Sequence, residues 1–258
     1  MARYFIEMAY NGAAYHGWQI QPNAITVQQV LEDALSKALR QKIETIGAGR
    51  TDTGVHASYF VVHFDCDLET IDFEVVVDKV NRILRNDVVV FDIQKVADDA
   101  HSRFSATSRR YEYVLSLTKN PFLQGLAYRP HCQLDFDRMN SACQLLFEYI
   151  DFTSFSKLHT DVKTNNCTIT KAYWEARGKE WIFTIEADRF LRNMVRAIVG
   201  TLLDVGRGKI SIDDFRHIIE RKNRSEAGTS VPPEALFLVD IGYPSELFTP
   251  RFRRSFKN

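Results

Sequence analysis

An order of elements that occurs twice constrains this chain more than any single motif. Residues 3–9 can form a strand. Val27, Val30, Leu31, Ala34, Leu35, Ala38 and Leu39 then recur at helical spacing, which predicts an amphipathic helix over about 26–41. Strands follow at 43–48 and 59–65. Val76, Val80, Ile83 and Leu84 predict a helix over about 72–84, and Val88 begins another strand. The order is β-α-β-β-α-β. The second half repeats it with longer connections: a strand at 109–117, a helix near 136–149, strands near 168–176 and 180–187, and a helix over about 190–204 that closes near Gly206 or Gly208. An extra helix near 211–222 and a strand at 236–241 complete the chain.

Two such halves predict an α/β (α+β) chain of two ferredoxin-like units, divided as 1–104 and 105–258. Hydrophobic residues make up 45% and charged residues 26% of the 258 residues, a globular balance that leaves out disordered and collagenous classes. No run approaches the roughly 18 apolar residues of a membrane helix, and Glu7 interrupts any signal-peptide core. Cys66, Cys132, Cys143 and Cys167 form no C-x-x-C pair and no zinc-finger spacing, so neither a metal nor a disulfide framework is expected. These readings predict a cytoplasmic protein with no membrane partner.

Lys plus Arg and Asp plus Glu are 33 each, a formal charge of zero. That sum hides an uneven distribution. Asp65, Asp67, Glu69, Asp72, Glu74 and Asp78 occupy 65–78 with no cation among them. Residues 101–130 hold Arg103, Arg109, Arg110, Lys119 and Arg129 against Glu112 alone, and Arg251, Arg253, Arg254 and Lys257 close the chain. Tyr111, Tyr113, Tyr128, Phe190 and Phe252 lie among the cations. Rings that stack on bases and guanidinium groups that meet phosphates suit single-stranded or loop RNA, although each cluster alone could be ordinary solvated surface.

The most informative stretch is Gly47-Ala48-Gly49-Arg50-Thr51-Asp52-Thr53-Gly54-Val55-His56-Ala57, between two predicted strands. A carboxylate on such a loop can act as nucleophile, base or metal ligand. If the backbone is extended from Arg50 to Asp52, both side chains point to one side and the guanidinium can orient the carboxylate. The plainer reading is an Asp that bonds its own turn. Asp52-Thr53-Gly54 also spells an aspartic-protease signature, but that chemistry needs two carboxylates and the chain has one such motif, so a protease would have to be a dimer. Two further clusters are Arg103-Phe104-Ser105-Ala106 running on to Arg109-Arg110-Tyr111, and Arg189-Phe190-Leu191-Arg192-Asn193-Met194-Val195-Arg196. Arg192 and Arg196, four apart, are expected on one helix face, with Arg196 partly buried and in need of an anionic partner.

Together these segments resemble the tRNA pseudouridine synthase A family. The resemblance rests on Tyr10-Asn11-Gly12, Gly17-Trp18-Gln19, Thr26-Val27-Gln28, Gly49-Arg50-Thr51-Asp52, Gly54-Val55-His56-Ala57, Arg103-Phe104-Ser105-Ala106, Phe190-Leu191, Met194-Val195-Arg196, Gly200-Thr201-Leu202-Leu203, Gly206-Arg207-Gly208, Pro232-Pro233 and Leu236-Phe237-Leu238-Val239. It implies two ferredoxin-like halves in one extended, mostly antiparallel sheet, with helices on one side and a central cleft. It implies conversion of uridine to pseudouridine in the anticodon stem-loop (positions 38, 39 and 40) by a homodimer, without cofactor or metal. By the same resemblance Asp52 is the catalytic carboxylate, Arg196 pairs with it, and Tyr111 stacks on the flipped base. Arg50, Arg109 and Arg110 bind the substrate. The alternative outside enzymology is a non-catalytic RNA-binding module of RRM-like fold that uses the basic, aromatic face alone.

Overall fold

The computed structural model describes residues 1–67, 72–157 and 164–248. Glu69 of the acidic stretch, Phe252 and the four cations of the C-terminal tail lie outside the described residues. The described elements are mixed α/β, with five α-helices, eight strands and mostly antiparallel pairing. By contacts the chain forms two units, one of Met1–Thr107 with Val239–Asn258 and one of Ser108–Leu238.

The first unit begins with β1 (Ala2–Tyr10), α1 (Val27–Leu39), β2 (Thr45–Gly47), β3 (His56–Cys66), α2 (Phe73–Ile83) and β4 (Val88–Lys95). Both helices are set by their caps and one apolar stripe. The Thr26 hydroxyl accepts from Gln29 N–H and the Asp72 carboxylate from Val75 N–H, each satisfying a donor that the first turn leaves unpaired. Val27, Leu31, Ala34, Leu35 and Leu39 are the buried face of α1, and Val76 and Val80 that of α2. Arg40, in the left-handed region at φ 56°, ends α1. The strand order is β4-β1-β3, with β2 on β3 as well. β1 pairs antiparallel with β3 and β4, and its Phe5, Ile6 and Met8 are fully buried. Each such side chain contributes about 1.5–3 kcal/mol by leaving water.

The second unit holds β5 (Ser108–Ser116), α3 (Phe136–Leu145), β6 (Ile169–Arg177), β7 (Glu180–Ala187), α4 (Met194–Gly206) and α5 (Ile212–Glu220), with strand order β5-β7-β6. Gly178, at φ +66°, makes the tight β6–β7 turn. The Asn140 amide of α3 bonds both backbone groups of Trp174 on β6. In α4 every residue but Arg196 and Asp204 is buried, so this helix is the centre of its unit. A capping box between Ser211 and Asp214 starts α5. The last strand, β8 (Leu236–Gly242), is divided: Leu236–Leu238 belong to the second unit and Val239–Gly242 to the first.

Both expected β-α-β-β-α-β orders are present, with shifted ends. β3 starts at His56, three residues before the expected 59. The helix expected to 149 ends at Leu145 because the following N–H groups, Leu146, Phe147 and Glu148, turn to carbonyls three residues back. The helix expected from 190 starts at Met194, after Asn193 takes the left-handed region at φ 66°.

Candidate functional site

The loop between β2 and β3 is held by the chain that leaves β1. The Tyr10 hydroxyl and Thr51 Oγ1 are 2.9 Å apart and buried. Trp18 N–H donates to Thr51 O at 3.3 Å, and Gly54 N–H to Tyr15 O at 3.3 Å. Gly12 N–H donates to His56 Nδ1 at 3.0 Å, which fixes that nitrogen as an acceptor. Two glycines make the approach possible. A Cβ on Gly12 would stand 2.0 Å from Val55 O, and one on Gly17, at φ +86°, 2.4 Å from Thr51 O. Trp18 lies against Gly47 and Phe60, and the Tyr15 hydroxyl donates to Asp87 at 2.6 Å. Burial, then Asp87, pushes the Tyr15 phenol well above its ordinary range.

Asp52 is half-buried on this braced loop and Arg50 is exposed. The turn that follows is closed by Val55 N–H on the Asp52 carbonyl at 3.1 Å, with Gly54 at φ +78°.

In the second unit, Arg109, Arg110 and Tyr111 follow one another on β5, opposite Ala187, Glu186 and Ile185 of β7. Arg109 donates to Asp188 O at 2.9 Å, and Arg110 is 3.9 Å from Glu186, which Lys171 also meets at 3.1 Å. Half-buried Tyr111 stands edge-on to Phe190, with centroids 5.2 Å apart at 89°. The Asp188 carboxylate accepts from Thr168 N–H and Arg189 N–H, each at 2.7 Å, and so fixes the turn that presents Phe190. Tyr113 is the buried counterpart two residues on. Its hydroxyl donates to Pro232 O at 3.0 Å, and burial raises its phenol far above the ordinary range.

Arg196 sits in the first turn of α4 against a strap at 228–231. Its Nε donates to Val231 O at 2.8 Å, and Val231 N–H donates to Arg196 O at 3.2 Å. Asn193 and Arg224 both donate to Ser230 Oγ, at 2.6 and 2.8 Å. Thr201 Oγ1 accepts from Gly228 N–H at 2.9 Å. A Cβ on Gly200 would lie 1.9 Å from Thr229 O, so only glycine lets the strap lie this close. Arg196 is partly buried, as its apolar neighbours predict. Arg192 does not share its helix face, because α4 begins after Asn193 and Arg192 stays exposed.

Sequence reasoning missed the braces: Tyr10, Tyr15 and Gly12 in the first unit, and the 228–231 strap and Asn193 in the second. The available signal was the pairing of glycines with polar neighbours, which names no partner.

A family model described as tRNA pseudouridine synthase matches residues 7–105 and 142–244. The chain is 57% identical over 248 residues to a tRNA pseudouridine synthase A of Parabacteroides distasonis, covering 96% of this chain and 98% of that protein. It is 58% identical over 247 residues to one of Bacteroides fragilis, covering 95% and 98%. To one of Colwellia psychrerythraea it is 39% identical over 254 residues, covering 97% of each.

Proposed function

The chain belongs to the tRNA pseudouridine synthase family, and on that premise we propose that Asp52 is the carboxylate that starts its reaction. The enzyme is an isomerase that converts uridine in tRNA to pseudouridine. Both other readings, a paired-Asp protease and a non-catalytic RNA-binding module, give way to this membership.

The observation that carries the assignment is a half-buried carboxylate on a loop braced from β1. Bracing holds a reacting group near one geometry and so removes orientational cost from the barrier. The isomerisation breaks the N1–C1′ bond and forms C5–C1′, moving one proton from C5 to N1 with no net redox change. Atoms balance within one nucleotide, and we read the reaction as needing no cofactor or metal. In this reading Tyr111 offers its ring to the flipped uracil and Arg196 supplies a fixed positive charge. Arg50, Arg109 and Arg110 meet phosphates beside the target. The half at 1–104 brings the carboxylate, and the half at 105–258 brings the tyrosine and the arginine. The order β4-β1-β3 with β2 on β3, and the corresponding antiparallel order β5-β7-β6, support reading both halves as ferredoxin-like.

The substrate region we propose is the anticodon stem-loop at positions 38, 39 and 40, bound by a homodimer in the cytoplasm. No helix among the described residues is long and apolar enough to cross a membrane. The test is unmodified tRNA incubated with wild type and with Asp52→Asn, with pseudouridine mapped by position. Asp52→Asn is expected to lose pseudouridine formation by about 10⁴-fold or more while tRNA binding stays within a few-fold. Isomerisation that persists in the variant overturns the role of Asp52, and product elsewhere in the tRNA overturns the anticodon assignment.

A further inference from the structure

The Arg103-Phe104-Ser105-Ala106 segment lies apart in sequence from Asp52, Tyr111 and Arg196. Phe104 lies between β4 and β5 with 75% of its surface exposed, beside an exposed Arg103. An exposed ring is usually loosely held, but this one sits on a closed turn. Ser105 N–H donates to His101 O at 2.9 Å and His101 N–H to Ser105 Oγ at 3.0 Å. His101 Nδ1 accepts from Arg103 N–H at 3.1 Å and from Phe104 N–H at 3.3 Å. The His101 imidazole packs on the ring at 4.4 Å, and the Arg103 guanidinium carbon is 5.5 Å from the ring centroid. His101 is itself in edge contact with buried His63, 4.6 Å away.

We propose that Arg103 and Phe104 form a stacking platform for an unpaired base of the tRNA substrate, the ring taking the base face and the guanidinium an adjacent phosphate. The proposal rests on the tRNA reading above. Three observations carry it. The ring is oriented before any ligand arrives, so little conformational entropy is lost on stacking. A cation already lies against it, the pairing that nucleobases and phosphates favour together. No acid occurs from 101 to 111, so nothing in this segment of sequence repels a polyanion. A second copy of the chain would also cover an exposed ring, but a guanidinium lying against the ring fits RNA better.

The test compares wild type, Phe104→Ala and Phe104→Trp on one tRNA transcript. Because the side chain is exposed, neither change should cost much stability. Phe104→Ala is expected to weaken tRNA binding by about tenfold, with sedimentation unchanged. Phe104→Trp is expected to keep wild-type affinity, and its added indole emission should be quenched by tRNA beyond any change in the wild type. Binding within twofold of wild type in Phe104→Ala, or no added quenching in Phe104→Trp, overturns the proposal. Loss of a dimer in Phe104→Ala also overturns it and gives the ring to a second copy. A wild type that forms no pseudouridine in tRNA removes the tRNA reading and this platform together.

Discussion

The loop of Asp52 and the first turn of Arg196 solve one problem in opposite settings. On the proposed roles, each must hold a polar side chain near one geometry. The first unit does it with an irregular loop tied from β1, by side chains and by backbone N–H groups that donate to Thr51 O, Tyr15 O and His56 Nδ1. The second does it with the most buried helix of its unit and a strap laid along it. In both, glycines allow two backbones to touch, Gly12 and Gly17 in one and Gly200 and Gly228 in the other. The difference is slack. A loop can shift and keep most of its unit intact, whereas a central helix cannot move without opening a core.

Alanine at one contact glycine of each unit is the strongest way to break this comparison. Gly200→Ala is expected to destabilise by about 3 kcal/mol or more, since its Cβ meets backbone on a helix with no room to yield. Gly17→Ala combines a similar clash with an unfavourable φ, but on a loop, and should cost about 2 kcal/mol. Its kcat/KM well below the melting temperature should nonetheless fall further than that of Gly200→Ala, because Thr51 and Asp52 move. Thermal unfolding and single-turnover assays measure both. Equal loss of stability with untouched activity in Gly17→Ala would show that the brace has no catalytic purpose.

Acid should distinguish the units next. His63 is buried in β3, with Nδ1 2.8 Å from Ser102 Oγ and accepting from Ser102 N–H at 3.2 Å. Burial first, then His101 and Arg3, lowers its pKa to about 4 from an ordinary value near 6.5. The unfolded chain binds the proton more readily, so this stability is complete above pH 6.5 and is lost as pH falls towards 4. The loss should reach about 2 kcal/mol, read from urea midpoints at pH 7 and pH 4.5. His63→Asn, which keeps an acceptor but does not titrate, should flatten that part of the profile. An unchanged slope would assign the acid sensitivity elsewhere.

The smallest effect sharpens the contrast. Gly49 carries no comparable constraint, since a Cβ there meets nothing within 4 Å. Gly49→Ala should change stability by about 0.5 kcal/mol at most. Any larger fall in tRNA turnover then reports space that the substrate fills.

Much of this was legible in the chain because the relevant information is local. The apolar stripes of α1 and α2 recur within a few residues along the chain. Asp52 was legible as a motif. What was hidden depends on distant partners: Thr51 with Tyr10, Arg196 with Val231, and Tyr113 with Pro232. The late start of α4 was hidden because one left-handed residue, Asn193, holds the helix off until Met194. Phe152 and Phe155, both fully buried around a short 3₁₀ turn, follow neither period.

The division of β8 has a consequence for synthesis. Thr107 N–H bonds Gly242 O at 2.8 Å, the Tyr243 hydroxyl bonds Ser102 O, and the rings of Tyr243 and Phe248 cover Phe5 at 5.5 and 6.1 Å. A nascent chain therefore carries an uncovered Phe5 until the whole of Ser108–Leu238 has left the ribosome, roughly ten seconds or more at ordinary elongation rates. The first unit to be translated is the last to be finished, and the enzyme gains its Asp52-bearing half in final form only after its Arg196-bearing half exists.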